Sequence, residues 1–272
     1  MNRRLAILLH WLAGRRNGVG ARELLQFLTT PPCRFRASPL INAIDEEGDV
    51  YRIHVAGTDG SLVWPKSIDL RWLYMTLVEQ SYPDDWHFYQ TPETSVHPDD
   101  IVVDCGAAEG LFSLLVANRA RKVYAIEPLP VWVECLRATF ERASNVEILP
   151  CALSNETGHS QLLSRGFMSQ LGVNGDVGVN VETVDNLFFH RGLGVSYLKA
   201  DLEGHDFMML QGAQETIANS SPKIAITTYH QPQHAELMME YLRSLNHHYQ
   251  FRTRGIEASA GAPVMLHAWI EK

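Results

Sequence analysis

One segment of the sequence, residues 101–128, constrains the fold more than any other. It reads as a strand, a glycine turn, a helix and a second strand (IVVDCGAAEGLFSLLVANRARKVYAIEP). The first strand ends at Asp104, the turn lies between Gly106 and Gly110, and the second strand leads to Glu127. Glycines let the backbone approach a ligand at a helix N-terminus, and an acid about 20 residues later can accept hydrogen bonds from ribose hydroxyls. The segment therefore predicts a site for a cofactor that contains adenosine.

Two classes of cofactor use such a turn, and the residues inside it separate them. Nicotinamide and flavin dinucleotides need the pattern GxGxxG, whose middle glycine makes room for the pyrophosphate. This chain reads GAAEG instead, with carboxylates at Asp104 and Glu109. Two carboxylates repel a pyrophosphate but suit the amino acid end and the sulfonium of S-adenosylmethionine. The residues favour S-adenosylmethionine over a dinucleotide. The remaining alternative is an ordinary strand–turn–helix in which the pair of glycines is fortuitous.

Strands and helices alternate from residue 101 to the end of the chain. We predict strands at residues 101–104, 122–126, 146–149, 195–201, 223–229, 248–253 and 264–270, and helices at about 110–119, 130–142, 206–218 and 233–245. This alternation implies a mostly parallel sheet covered on both faces, with ligands at the carboxyl ends of its strands. Only a loop separates the last two strands, which predicts an antiparallel hairpin at the C-terminal edge. The fold class is α/β, with a Rossmann-like sheet of the methyltransferase type.

The first 96 residues form an extension to this predicted domain, which spans residues 97–272. The elements expected in the extension are a basic amphipathic helix, a β-hairpin and a second helix, at residues 5–13, 50–56 with 61–65, and 68–80. Residues 1–40 contain seven arginines and one acid, so they carry a net charge of +6 while the rest of the chain carries −14. A basic helix of this kind can lie on an anionic membrane surface, or it can pack against its own domain or a second subunit.

Composition and cysteine usage favour a cytoplasmic protein. The basic extension also allows peripheral contact with the inner membrane surface. The four cysteines form no CxxC pair and have no metal-ligand spacing, which suits a reducing compartment. The apolar stretch near the N-terminus is short, is followed by Arg15 and Arg16, and lacks a cleavage site for a signal peptidase. No apolar run reaches the length of a membrane span.

Residues 155–194 interrupt the alternation inside the domain. Many Gly, Ser and Asn residues occur between Glu156 and Val179, and we recognise little periodicity there. Long insertions in compact α/β domains are often lids or substrate loops. We expect such a loop, with a surface loop that has no function as the alternative.

Candidate catalytic groups follow two of the predicted strands. Along strand 195–201, alternation places Lys199, Asp201 and Glu203 on the same side. Carboxylates at the mouth of a parallel sheet can orient or deprotonate an acceptor hydroxyl, although Glu203 could instead cap the next helix while Asp201 supports the loop. His230 follows the next strand and can accept a proton near neutral pH, although a single histidine is more often structural. We predict no metal site, although Asp201 and Glu203 could hold a hard cation through their oxygens.

Four blocks of the sequence carry a resemblance to a known family. They read VDCGAAEGLFSL, VYAIEP, YLKADLEGHDFMMLQGA and PKIAITTYH. In this order they resemble the FkbM family of S-adenosylmethionine-dependent methyltransferases, and the resemblance covers roughly residues 97–272. It implies methyl transfer, mostly to hydroxyl groups of sugars, polysaccharides or secondary metabolites. It does not extend to residues 1–96, where, together with residues 155–194, we expect the choice of acceptor to be made.

The resemblance also implies roles for individual residues. The implied cofactor contacts are Asp104, Gly106 and Gly110 on the methionine side, Glu127 at the ribose, Cys151 and Ala152 in the turn that flanks the adenine, and Ala107 and Pro128 beside them. Asp201, Glu203 and His230 match family positions near the acceptor. Ala108 departs from the family, which frequently has asparagine at this position, so one hydrogen bond to the cofactor is in doubt.

These observations predict an O-methyltransferase that acts on a sugar, polysaccharide or glycolipid hydroxyl. The alternatives are methylation of a small secondary metabolite and a subunit that binds S-adenosylmethionine without turnover. The acidic charge of the domain argues against a nucleic acid partner. Trp86, Phe88 and Tyr89 could stack on a pyranose ring or on adenine, or form a buried link beneath the sheet. The sequence leaves the oligomeric state open.

Overall fold

A computed structural model of the chain describes residues 2–165, 168–172, 177–231 and 233–271. The helices are α1 (Arg3–Leu12), α2 (Ala21–Thr29), α3 (Cys33–Ala37), α4 (Leu70–Ser81), α5 (Leu111–Ala117), α6 (Pro130–Thr139), α7 (Val184–Leu187), α8 (Asp206–Gln211), α9 (Gln214–Ser220) and α10 (His234–Leu245). The strands are β1 (Ile41–Glu47), β2 (Val50–Val55), β3 (Ser61–Pro65), β4 (Ile101–Cys105), β5 (Lys122–Ile126), β6 (Val146–Leu149), β7 (Ala152–Leu153), β8 (Gly158–Arg165), β9 (Met168–Gly172), β10 (Val177–Glu182), β11 (Tyr197–Ala200), β12 (Lys223–Thr227), β13 (Gln250–Arg254) and β14 (Met265–Trp269).

A seven-stranded sheet forms the centre of the molecule, in the order β13-β14-β12-β11-β4-β5-β6. The strands from β12 to β6 pair in parallel, and β14 pairs antiparallel with both β12 and β13. This arrangement confirms the Rossmann-like sheet and its antiparallel C-terminal pair. Because β11, β4 and β5 are adjacent and parallel, the loops that follow them meet at one edge.

The extension contains more structure than the sequence indicates. The predicted hairpin is a three-stranded antiparallel sheet, because β1 pairs with β2, and α2 and α3 are additional helices. The prediction omits β1 because six of its seven residues are exposed and lack apolar alternation. The inner face of this sheet packs on the domain, where the rings of Trp64 and Trp132 make an edge contact at 5.3 Å.

The insertion is also more regular than expected. The insertion contributes three strands to a small four-stranded sheet of order β7-β10-β8-β9, although no strand was predicted within it. Val177, Val179 and Val181 alternate with polar residues in β10, and this signal is easily overlooked among the glycines. The parts of the predicted loop at residues 166–167 and 173–176 lie outside the described residues.

The helix predicted at residues 206–218 is two helices, α8 and α9. The chain turns at Gly212, whose carbonyl accepts a hydrogen bond from the backbone of Asp185. The carboxylate of Asp185 accepts hydrogen bonds from the amides of Glu215 and Thr216, at 2.9 and 2.7 Å. A side chain from the insertion thus satisfies amides in the first turn of α9 and stabilises a second helix start.

Candidate functional site

A cavity opens at the carboxyl ends of β4, β5 and β11. Its wall combines the glycine turn after β4, the end of β5, the turn into β7 and the loop after β11. It contains about 980 Å³ of empty space when the open solvent at its entrance is included. This is the edge of the sheet where the sequence predicts a ligand.

The glycine turn is shaped by contacts inside the protein. Gly106 has φ +74°, and a Cβ there would lie 2.3 Å from the carbonyl oxygen of Asp201. Gly110 has φ +86°, and a Cβ there would lie 2.4 Å from Leu136 in α6. Both positions therefore need glycine before any ligand is considered, because a side chain would strain the backbone and displace a neighbour.

Glu127 is held rigidly in the wall of the cavity. Its two carboxylate oxygens accept hydrogen bonds from the amides of Ala108 and Leu129, each at 2.9 Å. Burial raises the pKa of Glu127 to about 7. Each oxygen keeps a further lone pair, so the carboxylate can accept hydrogen bonds from two ribose hydroxyls.

Asp104 lies beneath the turn rather than in the wall. It is fully buried, accepts a hydrogen bond from Ser113 at 2.7 Å and pairs with the Nζ of Lys199 at 2.9 Å. Lys199 also donates to the carbonyl of Gly106 at 2.6 Å, and it lines the cavity. Burial alone would lower the pKa of Lys199, but the carboxylates of Asp104 and Asp201 raise it above the usual value.

Two further acids enter the wall, one from the turn and one from the extension. Glu109 is buried, and burial raises its pKa to about 7. Gln80 of α4 donates a hydrogen bond to Glu109 at 3.3 Å, and Glu79 lies beside it in the wall. Sequence reasoning missed the α4 residues, although two adjacent polar residues in the last turn of an otherwise apolar helix were a signal.

The residues that the resemblance assigns to the adenine lie in the wall of the cavity. Pro128, Cys151 and Ala152 all line the cavity, together with Ala107. Leu162 of β8 completes this apolar part of the wall, so the insertion contributes a side chain.

Asp201, Glu203 and His230, which were predicted to lie near an acceptor, lie together, and the first two line the cavity. The Nε2 of His230 is 3.4 Å from a carboxylate oxygen of Glu203 and 3.7 Å from one of Asp201. β11 ends at Ala200, so a loop rather than strand alternation places Glu203 here, with φ +50°. In the same loop, the carboxylate of Asp206 accepts hydrogen bonds from the backbone amides of Leu202 and Gly204.

The charges in this cluster influence one another. Burial alone would lower the pKa of His230, but the carboxylates around it, with Asp206 foremost, raise it to about 9. Burial alone would raise the pKa of Asp201, but the positive charges of His230 and Lys199 lower it below the usual value. Burial, followed by the charge of Asp201, raises the pKa of Glu203 to about 7.

Of the three aromatic residues singled out in the sequence, only Tyr89 lines the cavity. Its hydroxyl donates a hydrogen bond to Asp201 at 3.1 Å, so it anchors the cluster. Trp86 instead stacks on Phe27 of α2 at 4.3 Å, and Phe88 lines a separate groove. The buried-link interpretation therefore applies to Trp86.

The residues in the wall fit S-adenosylmethionine better than a dinucleotide. Glu127 offers a fixed acceptor to ribose hydroxyls, the apolar turn suits an adenine ring, and Glu109 suits an ammonium or sulfonium charge. A pyrophosphate would face these carboxylates, and the ammonium of Lys199 is already paired with Asp104.

Comparison with known proteins agrees with this assignment. Residues 104–252, more than half of the chain, match the methyltransferase FkbM domain. No curated protein sequence matches the chain. In fold the chain resembles the methyltransferase FkbM from Methylobacillus flagellatus, with a TM-score of 0.53 and 20% identity over 74% of this chain and 54% of that one. It thus spans about half the length of that protein.

Two more distant structures share parts of the fold. An rRNA methylase from Streptococcus thermophilus has a TM-score of 0.42 and 14% identity, covering 65% of this chain and 90% of its own. TYW2 from M. jannaschii, solved in complex with AdoMet, has a TM-score of 0.43 and 13% identity, covering 83% and 87%. The family match over the glycine turn, Glu127 and the acceptor-side cluster carries the assignment: the chain belongs to the FkbM family of S-adenosylmethionine-dependent methyltransferases.

Proposed function

We propose that the protein transfers a methyl group to a hydroxyl of a sugar, polysaccharide or glycolipid. The observation that carries this proposal is the charge of the cavity wall. Among the described residues, its carboxyl groups belong to Glu79, Glu109, Glu127, Asp201 and Glu203, and its ammonium group belongs to Lys199. A neutral polyol offers hydroxyl donors to such a wall, whereas the phosphates of a nucleic acid bring like charge.

The residues of the chain have separate tasks in this reaction. S-adenosylmethionine supplies a methyl group on a positively charged sulfur. Glu127 holds the ribose and thereby fixes the donor, while Asp201 and Glu203 orient the acceptor hydroxyl. Alignment of both reactants makes the step effectively intramolecular. The hydroxyl oxygen forms the new bond to carbon as the sulfur–carbon bond breaks, and a carboxylate of the cluster takes the proton, a role typically worth ~10²–10⁴-fold.

The donor is tested by calorimetric titration. We expect S-adenosylmethionine and S-adenosylhomocysteine to bind the wild type and NAD not to bind. We expect Glu127→Ala to lower the affinity for both of the ligands that bind. Preferential binding of NAD would contradict the assignment of the donor.

The acceptor is tested with methyl-labelled donor and a panel of neutral glycans, small hydroxylated metabolites, tRNA and rRNA. We expect label in the glycans, and we expect Asp201→Asn to lose transfer while retaining donor binding. Label in RNA would refute the proposed class of acceptor. Label only in the small hydroxylated metabolites would also refute it and would support a secondary metabolite as the acceptor. Full activity in Asp201→Asn would refute the role of this residue.

We further propose that residues 1–40 bring the enzyme to the anionic cytoplasmic face of a membrane. Leu5, Leu9 and Leu12 are exposed along one face of α1, in the segment that carries the net charge of +6. Exposed leucines beside arginines support binding to acidic lipids. Within the described residues, α1 and the other helices are too short or too polar to cross a bilayer.

Vesicle co-sedimentation tests this contact. We expect the wild type to sediment with phosphatidylserine vesicles and less with phosphatidylcholine vesicles. We expect the triple variant Leu5→Ser, Leu9→Ser, Leu12→Ser to lose this sedimentation. Leu237→Ser, in the exposed part of α10, is the matched control. Wild-type protein that stays in solution, or that forms a dimer through α1 instead, would refute the proposal.

A further inference from the structure

We propose that Asp201, Glu203 and His230 form a binding site for a divalent cation such as Mn²⁺. Each of the three residues offers one ligand atom, and these atoms lie within 4.8 Å of one another. The proposal that a cation binds here rests on the arrangement of these residues. The role of the cation in catalysis rests in addition on the proposed function, transfer to a hydroxyl acceptor.

Two of the three separations are close to those of a coordination sphere. In an octahedral site with metal–ligand bonds of ~2.1 Å, adjacent ligand atoms are about 3 Å apart. The Nε2 of His230 lies 3.4 Å from Glu203 and 3.7 Å from Asp201, and the two carboxylate oxygens lie within 4.8 Å of each other. Small movements of these side chains would therefore bring the three atoms into coordination.

His230 provides the second, independent observation. Its side chain is only 9% exposed, and neither ring nitrogen makes a hydrogen bond within the described part of the chain. Charge-assisted hydrogen bonds measure ~2.7–2.9 Å, so the distances of 3.4 Å and more to the carboxylates are those of neighbours that have not closed on one another. Three carboxylates lie at ion-pair distance from the ring without a hydrogen bond to it, and a cation that replaced its proton would keep their charge compensated.

Asp206 supports the imidazole from the other side. Its carboxylate lies 3.6 Å from the Nδ1 of His230 and is held by the amides of Leu202 and Gly204, at 3.0 and 3.2 Å. A hydrogen bond from Nδ1 to this carboxylate, formed as the cluster closes on a cation, would fix the tautomer in which Nε2 is free to bind a metal. The same two hydrogen bonds shape the loop that carries Glu203.

The donor set indicates the kind of cation and its use. Two carboxylates and one imidazole suit Mn²⁺ or Fe²⁺ better than Ca²⁺, which prefers oxygen ligands alone. Three ligands leave positions open for oxygens of the acceptor. A cation there would make a bound hydroxyl more acidic, and the proton would pass to the carboxylate oxygen of Asp201 or Glu203 that faces away from the cation.

The test begins by removing metals from the full chain with a chelator. The protein is then titrated with Mn²⁺, and binding is measured by electron paramagnetic resonance. We expect the wild type to bind one Mn²⁺, and we expect Glu203→Gln and His230→Gln each to weaken binding at least tenfold. Glu215→Gln is the matched control, because Glu215 contacts His190 at 2.6 Å in an exposed pair outside the residues that line the cavity. Retained binding of S-adenosylhomocysteine shows that each variant is folded.

The outcomes separate this proposal from the proposed function. A wild type that binds no Mn²⁺, or variants that bind it as tightly as the wild type, would overturn the cation site. Full transfer to glycans by metal-free enzyme would overturn its catalytic role and leave the acceptor class standing. Mn²⁺ binding that depends on Glu203 and His230, in a protein that methylates no hydroxyl, would support the site and refute the proposed function.

Discussion

Replacing Glu127 with glutamine removes one charge and one hydrogen-bond acceptor from the cofactor wall. In the wild type, one oxygen accepts from Ala108 and the other from Leu129. Glutamine keeps one acceptor oxygen for one of these two backbone amides. Its NH₂ group faces the other, so that buried backbone N–H has no acceptor, at a cost of about 1–3 kcal/mol. Removing a buried charge acts in the opposite direction, and pH decides which effect dominates.

The sign follows from the raised pKa of Glu127. A carboxyl group with a pKa of about 7 in the folded protein and 4.5 in the unfolded chain destabilises the protein increasingly as pH rises through this window, by about 3 kcal/mol above it. Glutamine does not carry this cost. We expect Glu127→Gln to be less stable than the wild type at pH 5 by about 1–3 kcal/mol and nearly equal to it at pH 8, as measured by urea unfolding.

Cofactor binding should respond quite differently. Hydrogen bonds to a charged group contribute more than neutral ones, so losing the charge and one acceptor should cost about 2–3 kcal/mol, or about 30- to 150-fold in the Kd of S-adenosylhomocysteine at pH 8. Binding by the ionised carboxylate also predicts that wild-type affinity falls as pH drops below about 7, with no such slope in the variant. Glu134→Gln, on the exposed side of α6, is the control. Calorimetry that finds the Kd of Glu127→Gln within threefold of the wild type at pH 8 would refute the role of Glu127.

Three further substitutions test the packing around the site, each by urea unfolding. Gly106→Ala should cost about 2–4 kcal/mol, since its Cβ would meet Asp201 at 2.3 Å with φ +74°, whereas Gly158→Ala meets no atom and should change little. Lys199→Met should cost about 3–5 kcal/mol by leaving Asp104 buried without its partner, and a second substitution, Asp104→Asn, should restore part of the loss. Burial lowers the pKa of His267 to about 3, so wild-type stability should fall by up to about 1.4 kcal/mol per pH unit below pH 6.5, and His267→Gln should lack this component. Equal slopes in both proteins would contradict it.

The sequence predicted the central sheet and the position of the cofactor cavity because both depend on local patterns. β4 and β5 are short apolar runs, and the glycine turn and Glu127 follow them directly. Pro128, Cys151 and Ala152 reach the same wall because they follow neighbouring parallel strands. Order along the chain is enough to deduce such neighbours once the sheet is parallel.

The remaining features depend on contacts between distant parts of the chain. Glu79 and Gln80 enter the cavity only because the extension packs on the domain, and no local pattern fixes that packing. Asp104 was expected in the wall, but its pairing with Lys199 draws it beneath the turn. The surroundings of His230 depend on a loop conformation set by Asp206, which alternation along β11 does not describe.

The cofactor turn and the acceptor-side cluster are joined by direct contacts. Lys199 donates to the carbonyl of Gly106 and pairs with Asp104, while the Cα of Gly106 packs against the carbonyl of Asp201. Tyr89 then fixes the carboxylate of Asp201 through its hydroxyl. The proposed methyl transfer to a hydroxyl requires the donor carbon and the acceptor oxygen to be in line, and a rigid connection between the cofactor turn and the cluster would hold that alignment. This connection explains why a glycine with no side chain of its own should matter for the acceptor as much as for the cofactor.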